Sequence, residues 1–203
     1  NGDRLWTDEG FIKTGELLQD LMAMGAFEAN VNGISPDEAR GKFMSGKAAL
    51  WINGSWEIGV LNHQMGGENY GIFTMPEYPG GRGSADHQIV FADQAYAIGA
   101  NCPHKEAAWE FIRFMFSPER QEALVRSQTI PATKVEVDPS TADPRQVEAL
   151  NLMAGASGTM FPWDIPLGAF LGTEINKSVQ LLYMGESPQR VMEQFQQTVN
   201  DAL

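Results

Sequence analysis

The apolar positions of this chain follow two rhythms. Leu17, Leu18, Leu21 and Met22 recur at helical spacing and predict a helix from Thr7 to about Gly25, with Thr7 as N-cap and Asp8 and Glu9 in the first turn. Ala107, Ala108, Phe111, Ile112 and Met115 repeat that period between Pro103 and Phe116, so a helix with a core-facing stripe is expected there. Short continuous apolar runs at Ala48 to Ile52 and Gly71 to Met75 predict strands, the first of them buried. The run from Ile89 to Gly99 is broken by Asp93 and Gln94, which predicts two short strands meeting at a polar bend.

Helix starts are written in local chemistry. Ser35-Pro36-Asp37-Glu38 supplies a cap, a proline at the first helical position and a glutamate placed to close a capping box, for a helix reaching about Ser45. Ser117-Pro118-Glu119 and Ser187-Pro188 repeat the signal, opening helices that end near Gln128 and at the last residue. Further helices are expected at 55–64, 144–154 and 167–184. Pro76 to Gly83 is a turn-rich loop, and Val135 to Pro144 is the best internal linker candidate.

Composition narrows the function. Of the 203 residues, 20% are charged and 43% hydrophobic, the balance of a folded protein. A net charge of -12 argues against nucleic acid, whose phosphates need a basic surface, and against an anionic membrane face. Cys102 is the only cysteine, which leaves neither an internal disulfide nor a cysteine-based metal cluster. His63, His87 and His104 lack zinc-site spacing, so no metal and no cofactor are expected. Gly41 to Ala48 approaches a phosphate-binding loop, but Ala48 stands where Ser or Thr must hold magnesium. No run of about 18 apolar residues could span a bilayer. No signal peptide is visible, and a mature secreted chain would have lost one.

The remaining candidates combine aromatic rings with hydrogen-bonding neighbours. Trp56 follows Asn53-Gly54-Ser55 at an expected strand-to-helix turn, where an indole can stack on a sugar ring or anchor a core. Asn53 and Ser55 can bond hydroxyls, or can simply hold the turn. Asp93 and Gln94 interrupt an apolar run, and a buried carboxylate needs a partner, so they line a cleft or satisfy local backbone. Trp163-Asp164 repeats the ring-plus-acceptor pairing, with loop packing as its alternative; Phe161 and Tyr78 are weaker candidates. Asp93 and Asp164 could also form the carboxyl pair of a glycoside hydrolase.

Several motifs together carry a family resemblance. Phe43, Gly46, Lys47, Ala48, Ala49, Gly54 and Trp56 form one pattern, the stretch from Pro103 to Ala132 a second, and the closing helices around Gly185 and Ser187-Pro188 a third. The chain resembles the extracellular solute-binding proteins of ABC importers, especially the carbohydrate-binding group that includes the maltodextrin-binding proteins. The resemblance covers nearly all 203 residues, whereas family members are usually about twice as long. It implies an α/β, periplasmic-binding-protein-like fold of type II, present here as a C-terminal fragment. Residues 1–88 with 163–203 would form the second lobe, and 89–162 would cross the hinge and complete the missing first lobe. It further implies a non-catalytic receptor, periplasmic or extracellular and lipid-anchored in some members, that delivers a sugar or oligosaccharide to an ABC permease. Asn53, Ser55, Trp56, Asp93, Gln94, Trp163 and Asp164 are then ligand-binding candidates. A lone half-cleft is expected to bind solute weakly and to self-associate through surface around Trp109, Phe111 and Phe114.

Overall fold

Caps and close approaches, more than long strands, organise this chain. The computed structural model describes residues 4–81, 83–90, 95–138 and 140–202. Their contacts form two units, 1–39 with 161–203, and 40–160.

The first unit is helical. Helix α1 (Glu9–Ala23) packs with α7 (Gly168–Tyr183) and α8 (Pro188–Ala202). Its N-cap is Asp8, one residue beyond the expected Thr7, and Asp8 caps by extended backbone without a side-chain bond. Leu182, Val191 and Met192 are buried at the centre, with Phe11, Ile12, Leu18 and Leu181 packed against them. Gly15 is needed for this approach: a Cβ there would lie 2.9 Å from Pro188 Cβ and 3.1 Å from a Leu182 methyl. Gln19 Nε2 donates to Leu182 O at 3.2 Å and to Glu186 O at 2.6 Å. It thereby ties α1 to the last turn of α7 and to the turn that follows it.

Helix α2 (Pro36–Met44) starts as its sequence predicts, with Glu38 N donating to Ser35 Oγ at 3.2 Å. The second unit contains α3 (Ile58–Met65), α4 (Lys105–Met115), α5 (Pro118–Arg126) and α6 (Pro144–Ala154). Two strands, β1 (His87–Ile89) and β2 (Gly158–Met160), pair in parallel with His87 opposite Gly158. Ile58, Leu61, Tyr70 and Ala149 are buried, and so are Glu57, Gln121 and Gln146. Gln121 Oε1 accepts from the amides of Ala132 and Thr133 at 2.8 and 3.3 Å, while its Nε2 donates to Met115 O at 2.9 Å. Gln146 Nε2 donates to Thr129 O at 3.2 Å. These glutamines hold the 129–133 loop onto the helices.

Three expectations need correction. Ala48 to Ile52 and Gly71 to Met75 join no ladder among the described residues, and Leu50, Ile52, Phe73 and Met75 are exposed. An apolar run becomes a strand only when another strand takes its backbone groups, and that partner is not specified locally. Between Ile89 and Gly99, the ladder ends at Ile89, residues 95–99 are irregular, and Asp93 and Gln94 lie outside the described residues. Helix α4 has its predicted stripe but no buried residue: Ala108, Ile112 and Met115 are half-buried, while Trp109, Phe111 and Phe114 are exposed. Periodicity locates an apolar stripe without specifying what covers it.

Candidate functional site

Trp56 lies in a 3-10 turn, Ser55–Glu57, that leads directly into α3. Its benzo ring lies on Gly54, and a Cβ at that position would overlap the ring atoms. Gly54 has ordinary extended backbone (φ -111°, ψ 173°), so the absence of a side chain matters here for space rather than for backbone angle. The indole remains 58% exposed, which leaves a flat apolar surface for a ligand.

The turn beneath the indole is fastened by charge. Arg40 Nε donates to Glu57 Oε2 at 2.8 Å, and a terminal guanidinium nitrogen donates to Oε1 at 3.1 Å. Oε1 also accepts from Asn53 Nδ2 at 3.4 Å, and Asn53 Oδ1 accepts from Gly54 N at 2.8 Å. Glu57 is buried, whereas Asn53 is exposed and Ser55 half-buried. Asn53 therefore fulfils its turn-holding role while its edge remains open to solvent.

Trp163 and Asp164 occupy a loop of the first unit that begins at Phe161. Trp163 meets Trp6 and Phe11 edge-on, with ring centroids 5.3 and 5.8 Å apart. Trp6 in turn meets Phe195 at 4.8 Å, and its backbone N donates to Gln196 Oε1 at 2.8 Å. Half of Trp163 stays exposed despite these supports, and Asp164 is exposed beside it. The Asp164 carbonyl lies against buried Gly172 of α7, where a Cβ would collide with it. Sequence reasoning singled out Trp163 but missed its prop, Trp6. The available signal was Trp6 itself, an aromatic residue two positions before the Asp8 cap.

Sequence reasoning also missed a polar cleft of about 390 Å³ in the second unit, lined by Asn62, His63, Glu68, Arg126, Gln128 and Asp143, among others. Next to it, Tyr70 donates its hydroxyl proton to Asn62 Oδ1 at 2.8 Å and lies under the Arg145 guanidinium at 5.5 Å. Burial, reinforced by the Asp143 carboxylate, pushes the Tyr70 phenol up to about 12. Asn62 Nδ2 has no hydrogen-bond partner among the described residues.

These sites offer rings and hydrogen-bonding edges. Among the described residues there is no group of three metal-ligating side chains and no helix long and apolar enough to cross a membrane. Asp93 and Gln94, two of the predicted site residues, lie outside the described residues.

A family model described as bacterial extracellular solute-binding protein matches residues 1–122. A solved chain, from work on biochemical and structural insights into xylan utilization by the thermophilic bacterium Caldanaerobius polysaccharolyticus, is 23% identical with a TM-score of 0.84. That similarity covers 98% of this chain and 52% of the other, so this chain spans about half the length of that one. No curated protein matches the chain. The likeness establishes an α/β, periplasmic-binding-protein-like fold of type II, present in part.

Proposed function

Because this chain belongs to the bacterial extracellular solute-binding protein family, we propose that it is the ligand-gripping part of a sugar receptor. Its family places it outside the cytoplasm, in the periplasm or beyond. The observation that carries the reading is the Trp56 indole, exposed on one face and resting on Gly54, with Asn53 beside it. Such a ring offers apolar area to the C–H face of a sugar, while amide and hydroxyl groups bond its hydroxyls. Trp163 with Asp164 supplies a second ring and acceptor, and Ser55, Asp93 and Gln94 complete the proposed contacts. Arg40, held by Glu57, is committed to the fold, which favours a neutral polyol over a carboxylate ligand.

The whole receptor would deliver its ligand to an ABC permease without catalysis, from a lipid anchor or in free solution. In it, residues 1–88 with 163–203 would form one lobe, and 89–162 would return to the other. Xylan-derived oligosaccharides are the first ligands to test, given the similar chain's setting. Half a cleft binds weakly, so the test is a millimolar titration of xylotriose and other sugars followed by tryptophan fluorescence. Saturable change with a sugar, reduced in Trp56→Ala, is expected. Response to amino acids instead, or hydrolysis of a chromogenic glycoside, would overturn the reading.

We also infer self-association through the exposed rings Tyr96, Trp109, Phe111, Phe114 and Phe116. Copies carrying -12 charge repel one another, so association should rise with salt. A light-scattering mass that stays monomeric at high concentration and high salt would refute it.

A further inference from the structure

The bonds beneath Trp56 point to a role for two residues that a ligand would not need to touch. We propose that Arg40 and Glu57 act as a positioning pair for the Trp56 indole; this rests on the reading of Trp56 as a ligand platform.

The argument follows the chain of contacts. Arg40 belongs to α2, a helix started by its own Ser-Pro cap, so one end of the pair stands on an element formed independently of the turn. Its guanidinium fork meets both oxygens of Glu57, at 2.8 and 3.1 Å. A two-point match fixes the orientation of the carboxylate as well as its distance. Glu57 directly follows Trp56 in the chain and is 7% exposed, so its carboxylate serves the protein interior. The same Oε1 reaches Asn53 Nδ2, and Asn53 Oδ1 receives the amide of Gly54, on which the indole lies. Both ends of the 53–57 turn are thus referred to one guanidinium. A sugar stacks productively only on a ring held at a fixed tilt, and a ring free to rotate must lose that freedom on binding.

A purely structural ion pair would affect folding alone, whereas a positioning pair also changes the ring. The double variant Arg40→Gln/Glu57→Gln removes both charges of the pair together, so neither is left facing a neutral partner. The full chain is labelled with 5-fluorotryptophan, and the Trp56 fluorine line is assigned by its loss in Trp56→Phe. Circular dichroism verifies that each variant is folded, and Glu57→Gln alone replaces the double variant should the latter fail to fold. The expected result is a shifted, broadened Trp56 line and at least tenfold weaker binding of xylotriose. The swapped pair Arg40→Glu/Glu57→Arg should restore part of both.

An unchanged Trp56 line in a folded variant would overturn the proposal. So would a moved line with unchanged xylotriose affinity, provided Trp56→Phe and Trp56→Ala themselves weaken that affinity. If neither tryptophan variant alters binding, the platform reading fails, and the positioning role falls with it even where the fluorine line has moved.

Discussion

The two units of this chain bury their interiors by different chemistry. In the 1–39 and 161–203 unit, Leu171, Ile175, Leu182, Val191, Met192 and Phe195 are buried, so apolar side chains dominate. The 40–160 unit buries Glu57, Gln121 and Gln146 beside its few aliphatics, and leaves Leu50, Ile52, Phe73, Met75, Trp109 and Phe111 exposed. Apolar packing is non-directional and accumulates with area. A buried amide or carboxylate contributes only while its partners stay in place, and becomes a cost when they leave. The first unit should therefore be most sensitive to lost volume, and the second to lost bonds.

The sharpest test of that contrast is Leu182→Ala. It empties the centre of the first unit and should cost about 2–5 kcal/mol, read by urea unfolding and by amide exchange along α7 and α8. Gln121→Ala should follow at roughly 1–3 kcal/mol, because the amides of Ala132 and Thr133 and the Met115 carbonyl all lose a partner. If the glutamine proves cheaper than a surface substitution, the polar half of the comparison fails. Ser117→Ala removes the side-chain oxygen that receives Arg120 N and should cost about 1 kcal/mol, measured by the same unfolding curve.

The smallest effect is a pH dependence confined to the second unit. Folding raises the Tyr70 phenol from 10.0 to about 12 through burial. Between those values the unfolded chain gives up this proton while the folded chain keeps it. The contribution is therefore complete below about pH 10 and disappears as pH climbs toward about 12, reduced to on the order of 1 kcal/mol because solvent screens the phenol edge. Tyr70→Phe should flatten this part of the alkaline stability profile, and an unchanged slope would remove Tyr70 from the account.

How legible each region was follows the same division. The Ser-Pro starts at Pro36, Pro118 and Pro188 were readable because a cap needs only its neighbours within three residues. Helix α6 begins at its expected Pro144 on the local Asp143 cap, while α7, which has no side-chain cap, begins one residue from its expected start. The runs at 48–52 and 71–75 were misread because a ladder is a property of two segments, and only one of them is visible in a local pattern. Within the site, Trp56 and Trp163 were recognisable as rings beside turns. The glycines beneath them, Gly54 against the Trp56 ring and Gly172 against the Asp164 backbone, were not recognisable as such, since a close approach leaves no mark in the pattern. Neither was the Arg40–Glu57 pair, whose members stand 17 residues apart on different elements.

The glycine under Trp56 carries a consequence for anyone randomising this region. Every replacement at position 54 brings a carbon into space the indole already occupies, so the ring must tip or the turn must move. A library screened for retention of the Trp56 geometry would therefore report position 54 as intolerant, although it has no side chain of its own. Contact maps drawn from a bound ligand would undervalue it for the same reason.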